Sequence, residues 1–345
     1  MKLLASSTGS YPRAGDTPDL QILPQTIAAV ARGERTAADL ADAEREMTRR
    51  AIEDQVRAGL EVLTDGQTCW NDPISHFAGK LEGVHIGGPQ PYFDTGFQYR
   101  QPVLIGRPKR GRGSPLVNEY LFAQNALGLM PTAPERAGRL KMKPVVTGPY
   151  TMAKLSLSSD AAMEPLEARS EAYAEALLAE LRALVAAGAD FVQVDEPAIV
   201  KYPEDWDVFA RTWDQLAQLR QERNPRGKLT RLALYVYFHD CAALYEKLAQ
   251  LSVDALGIDF TCGPKAAEAV AEIGSPVPLG LGLVSGLNPQ LEEPAGVARQ
   301  AEKILPKITG EEAYLGPSCG LEFLPRDRAY AKLSVCAEAA RMLRK

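Results

Sequence analysis

The chain is poor in histidine, tryptophan and cysteine, with three, three and five of them in 345 residues. Five cysteines in a chain this long do not build a disulfide framework, so reduced thiols and a cytosolic, cytoplasmic setting are expected. A basic excess is missing too: 39 Lys and Arg stand against 44 Asp and Glu, a net charge of −5. That excludes the strongly positive footprint of a nucleic-acid binder. No apolar run approaches the roughly 18 residues of a membrane span. The opening MKLLASSTGSYPR has too short an apolar run for a secretory signal. No repeat of solenoid length recurs.

What is present is 46% hydrophobic residues in an ordinary globular composition. By about 100–200 residues per domain, that bounds the chain at one to three domains. Eight short apolar runs alternate with long amphipathic segments: 2–6, 60–65, 143–148, 191–195, 232–238, 255–260, 278–284 and 313–318. Most are continuous rather than alternating, as in parallel strands buried on both faces. Thr36 to Asp39 resembles a capping box and opens a helix that stops at Gly59. Glu164-Pro165 opens another that stops at Gly188, and 327–345 forms a closing helix. Eight such units predict an α/β fold, a (β/α)8 TIM barrel occupying 1–345 as one catalytic domain. An insertion of about 73–135 separates strands two and three, and its Gly- and aromatic-rich stretch 83–106 predicts a β-hairpin. The following RPKRGRG, 107–113, reads as a mobile basic loop, either a solvated connection or a docking point for an acidic partner.

Active sites of such barrels lie at the C-terminal strand ends, and here those ends are polar. They carry Thr8-Gly9-Ser10, Asp65-Gly66-Gln67, Thr147-Gly148, Asp195-Glu196, His239-Asp240-Cys241, Asp259 and Ser318-Cys319. His239 and Cys241, two apart after a strand, can point to one side. With Asp259 and Cys319 they offer the nitrogen, sulfur and carboxylate donors of a tetrahedral zinc site. Without the fold, H-x-C reads equally as a core histidine beside a buried cysteine. Cys69 and Cys262 are alternative ligands on the same side, and Cys336 reads as core. Asp195 is either a loop cap or a partner for a ligand ammonium. The backbone around Gly9 and Ser10 can hold a ligand carboxylate. These two features suit an amino acid.

The ordered set STGSYP, GLEVLTDG, ND, TGPYT, QVDEPA, HDC, GLGLV and PSCGL resembles the catalytic domain of the cobalamin-independent methionine synthase family, over essentially the whole chain. The chain is similar to a short, single-barrel member without the N-terminal barrel of the long enzymes. The resemblance implies one zinc ion per chain on His239, Cys241, Asp259 (usually Glu in the family) and Cys319. It implies that a methyl group moves to the thiol of L-homocysteine, with no catalytic residue beyond the zinc ligands. It places homocysteine on Thr8, Gly9, Ser10 and Asp195, with Gln67 where the family carries a Glu.

Two further departures concern the methyl donor. The family's folate-using members carry a His after strand seven, where this chain has Leu287, and an aromatic residue over the pterin, where it has Leu155. An amine leaving group needs a proton near the transition state, and leucine supplies none. The expected donor is therefore a methylcorrinoid, methylcobalamin or a methylated corrinoid protein, rather than methyl-tetrahydrofolate. Two alternatives stay open: zinc-dependent alkyl transfer to another thiol such as coenzyme M, and a non-catalytic zinc- or corrinoid-binding barrel.

Overall fold

Eight parallel strand positions close on one another in the structure, a computed structural model that describes residues 1–131 and 138–344. In barrel order they are β1 (Lys2–Ala5), β2 (Val62–Leu63), the pair β5 (Lys141–Met142) and β6 (Val145–Thr147), β8 (Phe191–Asp195), β9 (Arg231–Val236), β10 (Ala255–Asp259), β11 (Leu279–Val284) and β12 (Glu312–Pro317). β12 pairs back on β1, and a Ser6 to Val62 bridge joins β1 to β2. Each strand is an apolar run because both of its faces are covered, by helices outside and by the barrel interior inside. β5 and β6 are one strand position broken at Lys143-Pro144, where proline has no N–H for the ladder. Among the described residues no helix is long and apolar enough to cross a membrane.

The outer helices end where the sequence says they should. Thr36 caps the helix Ala37–Ala58 in a complete capping box with Asp39, and Gly59 closes it at φ 100°. Such a cap is worth about 1 kcal/mol. Pro165 stands at the N-cap of the helix Leu166–Ala186, one position ahead of the expected first turn.

Inside the barrel, Leu4, Phe191, Tyr235 and Tyr314 form a layer. Gly257 is required there: an added Cβ would lie 2.2 Å from Cδ1 of Tyr235. Lys143 is wholly buried above this layer, its Nζ 4.8 Å from the Tyr235 ring centre. Nζ donates to the Ser7 carbonyl at 3.1 Å and to Oε1 of Gln193 at 2.5 Å. Burial lowers its pKa to about 7.

Between the second and third strand positions, β3 (Leu81–Pro91) and β4 (Gln98–Arg110) form an antiparallel hairpin, and β7 (Leu157–Ser158) adds to β4 in parallel. The basic stretch differs from expectation. Residues 107–110 are strand, and Arg107 and Arg110 pair with Glu175 and Glu180 at 2.7 and 2.6 Å. These two charges are matched by one helix, so the first part of the stretch is a paired strand rather than a mobile loop. The helix Pro115–Gly128 packs against the helices Ala37–Ala58 and Leu166–Ala186 and against β5. It occupies the barrel's own second helix position, so the inserted part ends near residue 114. The expected boundary near 135 lies outside the described residues. The hairpin turn, 92–97, folds over the barrel mouth, with Tyr92 5.8 Å from Phe238 and Phe97 4.6 Å from Phe323, centre to centre.

Candidate active site

Asp195 is the last residue of β8 and is buried. Its Oδ1 accepts from Nε2 of Gln193 at 2.6 Å and its Oδ2 from the Tyr237 hydroxyl at 3.1 Å. The same Gln193 amide donates to the Thr8 carbonyl at 2.6 Å, so one side chain ties Asp195 to the loop after β1. Burial raises the Asp195 pKa to about 7, against the pull of Gln193, Lys143 and Tyr237. Glu196, one residue on, has the other role the sequence allowed. It accepts from the N–H groups of Tyr150 and Thr151 at 3.0 and 2.7 Å and from the Thr151 hydroxyl at 2.6 Å. It therefore braces the start of the helix Pro149–Lys154. An added Cβ on Gly148 would lie 2.1 Å from its Oε1, so only glycine fits there.

A cavity of about 340 Å³ opens beside this point, between the loop after β1 and the hairpin turn. Ser10, Gln67, Tyr92 and Glu322 line it. The Ser10 hydroxyl donates to Glu322, and the Thr8 hydroxyl donates to the Pro317 carbonyl at 2.6 Å. Gly9 gives its carbonyl to the Thr64 hydroxyl at 2.6 Å. Gln67 takes a left-handed φ of 50° and donates to the Val145 carbonyl at 3.2 Å. The structure therefore brings Thr8, Gly9, Ser10, Gln67 and Asp195 to one end of the mouth.

The sulfur-bearing residues stand around Asp259, the last residue of β10. Its charge is felt by His239, Cys241, Cys262 and Cys319. Cys241 and Cys319 are buried; burial pushes the Cys241 thiol up to about 12 and the Cys319 thiol well above the ordinary range. Nδ1 of His239 is buried with no hydrogen-bond partner, while its Nε2 lies 3.5 Å from Oδ2 of Asp94 in the hairpin turn. An orphaned ring nitrogen beside two buried thiols and a carboxylate fits the donor chemistry of zinc. The spacing is another matter: among the described residues no three His, Cys, Asp or Glu converge as metal ligands. Asp259 is engaged by loop groups, accepting from the N–H of Phe238, Thr261 and Cys262 and from the Thr261 hydroxyl.

The period-two argument for His239 and Cys241 does not apply. β9 ends at Val236, and Phe238 turns the chain with a left-handed φ of 75°. Cys262 is exposed on the loop after β10. Cys69 lies elsewhere, in a groove with Glu44, Asp65, His76 and Glu119. Cys336 is buried in the closing helix Arg326–Met342, as read.

Four residues of this region escaped the sequence reading. Lys143 stands at the start of an apolar run, and Tyr92 arrives on a distant hairpin. Tyr237 looks like strand filler. Glu322 follows the PSCGL motif closely, and its acidic side chain there was the one available signal.

The chain matches the family model for the catalytic domain of the cobalamin-independent synthase over residues 3–342. A methionine synthase of Saccharolobus solfataricus is 27% identical to it over 342 residues, covering 97% of this chain and 93% of that one. One from Sulfurisphaera tokodaii is 26% identical over 350 residues, covering 97% and 91%. Among solved structures, a B12-independent methionine synthase from Shewanella sp. W3-18-1, in complex with selenomethionine, is similar at a TM-score of 0.76 and 19% identity, covering 99% of this chain and 98% of that chain. At that identity the likeness speaks for the barrel fold alone. The family match over nearly the whole length carries more: this chain belongs to the cobalamin-independent methionine synthase catalytic-domain family and is a methyltransferase enzyme of the methionine synthase type.

Proposed function

We propose that the protein methylates the thiol of L-homocysteine to form methionine, using one zinc ion and a methylcorrinoid donor. The observation that carries this reading is the pairing of two chemistries at one barrel mouth. An acid suited to an ammonium, Asp195, stands at one end, and the thiols Cys241 and Cys319 with His239 and Asp259 stand at the other. A thiol amino acid has an end for each.

Held by His239, Cys241, Asp259 and Cys319, zinc would supply the acidification that turns a thiol, ordinarily of pKa about 8.5, into a thiolate at neutral pH. Asp195 accepts from the substrate ammonium, and Gln193 keeps its carboxylate aimed by bridging it to Thr8. The loop Thr8–Ser10 and Gln67 border the amino-acid end. The hairpin turn covers the mouth and reduces access of water. A methylcorrinoid would supply the methyl group for the new sulfur–carbon bond and would keep the electron pair of its broken cobalt–carbon bond. The thiol proton leaves to solvent.

Leu287 packs against the buried cluster that includes Tyr237 and Cys319, and Leu155 against that of Tyr92 and Tyr99. Neither donates a proton, which supports a corrinoid, free or carried on a protein, over a folate. Purified protein loaded with zinc is given homocysteine with methylcobalamin or with methyl-tetrahydrofolate, and methionine is quantified. Product with methylcobalamin alone is expected. Equal turnover with the folate would overturn the donor assignment. A cobalt-substituted protein whose visible spectrum ignores homocysteine but responds to coenzyme M would overturn the acceptor.

A further inference from the structure

The acidic groups at the amino-acid end are not all accounted for by their surroundings. Asp72 lines the cavity, but the N–H groups of Ile74, Ser75 and Arg100 and the Ser75 hydroxyl occupy it. Arg13 lines it too, but donates to the Thr68 carbonyl at 2.8 Å and pairs electrostatically with Glu44. Gln67 brings no charge. Glu322 is different. It lies deep in the mouth and keeps part of its surface toward the cavity. Ser10 is its side-chain partner, and the charge that bears on it is another carboxylate, Asp195. Among the described residues no cation stands against it, and burial raises its pKa to about 7.

A second, independent feature points into the same space. Tyr92, 2% exposed and part of the cavity wall, has a buried hydroxyl that stands near the Tyr237 hydroxyl and, among the described residues, has no hydrogen-bond partner of good geometry. Glu322 and Asp195 are the acids whose charge it feels. Glu322 and the Tyr92 hydroxyl line the cavity, and Asp195, whose charge bears on both, is within electrostatic reach, so three acceptors stand near one another. An ammonium group has three N–H donors and a positive charge.

We propose that Glu322 and Tyr92 are specificity-determining residues that, with Asp195, bind the α-ammonium of the amino-acid ligand. This rests on the amino-acid reading given above. It adds a second anionic contact and a contact from the hairpin, so the hairpin turn selects substrate as well as covering the mouth.

The test uses calorimetric titration of the full-length protein, purified with zinc in the buffer, with L-methionine and with methionine lacking its amino group. Wild type is expected to prefer methionine by about 100-fold or more. Glu322→Gln still accepts from Ser10 and is expected to reduce that preference by about tenfold, the loss of one charge-assisted hydrogen bond. Tyr92→Phe is expected to reduce it by about threefold. In both variants the affinity for the deaminated analogue stays unchanged, which a general packing defect would not allow. Methionine binding in Glu322→Gln equal to wild type, or equal losses for both ligands, would overturn the proposal and leave the amino-acid reading standing. Wild type that binds neither ligand would overturn that reading and this proposal with it.

Discussion

At one end of the barrel mouth, Asp195 accepts two hydrogen bonds, from Gln193 and Tyr237, and its pKa is raised to about 7 by burial. At the other end, Asp259 accepts four, from Phe238, Thr261 and Cys262. Both are buried terminal residues of strands in one parallel sheet, β8 and β10, with β9 between them. The difference lies in what surrounds them. Around Asp195 the donors are two side chains, Gln193 within β8 and Tyr237 just past β9. Around Asp259 the donors are mostly backbone N–H groups of the loops after β9 and β10. At the Asp195 end the polar contacts are in place; at the sulfur end the donors, among the described residues, are gathered without converging.

The largest test of this contrast is at the sulfur end. His239→Ala, Cys241→Ser and Cys319→Ser are each expected to drop bound zinc from one per chain to below about a tenth, and methionine formation by about 1000-fold, since zinc needs its three or four protein ligands. Atomic absorption and rates read the two effects. Asp259→Asn sharpens the point because it keeps an acceptor for the loop. Loss of zinc with unchanged melting identifies the carboxylate as a ligand; retained zinc identifies it as a brace.

Next in size is the pair Asp195 and Glu196. Asp195→Asn is expected to lower kcat/KM by about 100-fold, mostly through KM, as the loss of a buried charge-assisted contact of about 2–3 kcal/mol. Glu196→Ala is expected to leave KM within about threefold and to destabilise the fold by about 1–3 kcal/mol, because it strands the N–H groups of Tyr150 and Thr151. Similar KM effects from both would erase the distinction between them.

The smallest effect is in pH. Burial raises Asp195 and Glu322 to about 7 and Glu196 to about 8. Unfolded carboxyls titrate near pH 4. The native state therefore holds more protons than the unfolded state between about pH 4 and 8, and stability present below that window is lost as pH rises through it. Lys143, lowered to about 7, acts the other way: its contribution to stability grows from about pH 7 toward its unfolded value near 10.4. Calorimetry of the unliganded protein is expected to show melting that falls by a few degrees from pH 5 to pH 8. Added methionine is expected to flatten that fall, since its ammonium meets the charge at Asp195. A melting temperature that rises across the window would contradict the burial of these acids.

Much of this was readable from the chain. The run 191–195 is a strand residue for residue, because β-branched and aromatic residues in a short run buried on both faces favour a parallel strand. The capping box at Thr36 and the stop at Gly59 are local chemistry, so they hold. The misreadings share a cause. RPKRGRG looks like a solvated loop until Glu175 and Glu180, on a helix some seventy residues away, pair with two of its three arginines, Arg107 and Arg110. Lys143 looks like the edge of a strand until the closed barrel buries it. His239 and Cys241 look like strand neighbours until a left-handed turn at Phe238 ends the regular backbone.

The sequence by itself determined the barrel and the set of polar side chains at its C-terminal rim. Both are encoded in short-range pattern: the apolar run that a doubly covered strand requires, and the polar residues where that run stops. Only the tertiary structure decided which of those side chains meet. Asp195 faces the mouth while Glu196 braces a helix, and Tyr92 is carried by the hairpin to a cavity it shares with Glu322, more than two hundred residues later in the chain. Such meetings depend on how the sheet closes and how the hairpin docks. Both are set by contacts between residues far apart in sequence, which no local pattern contains.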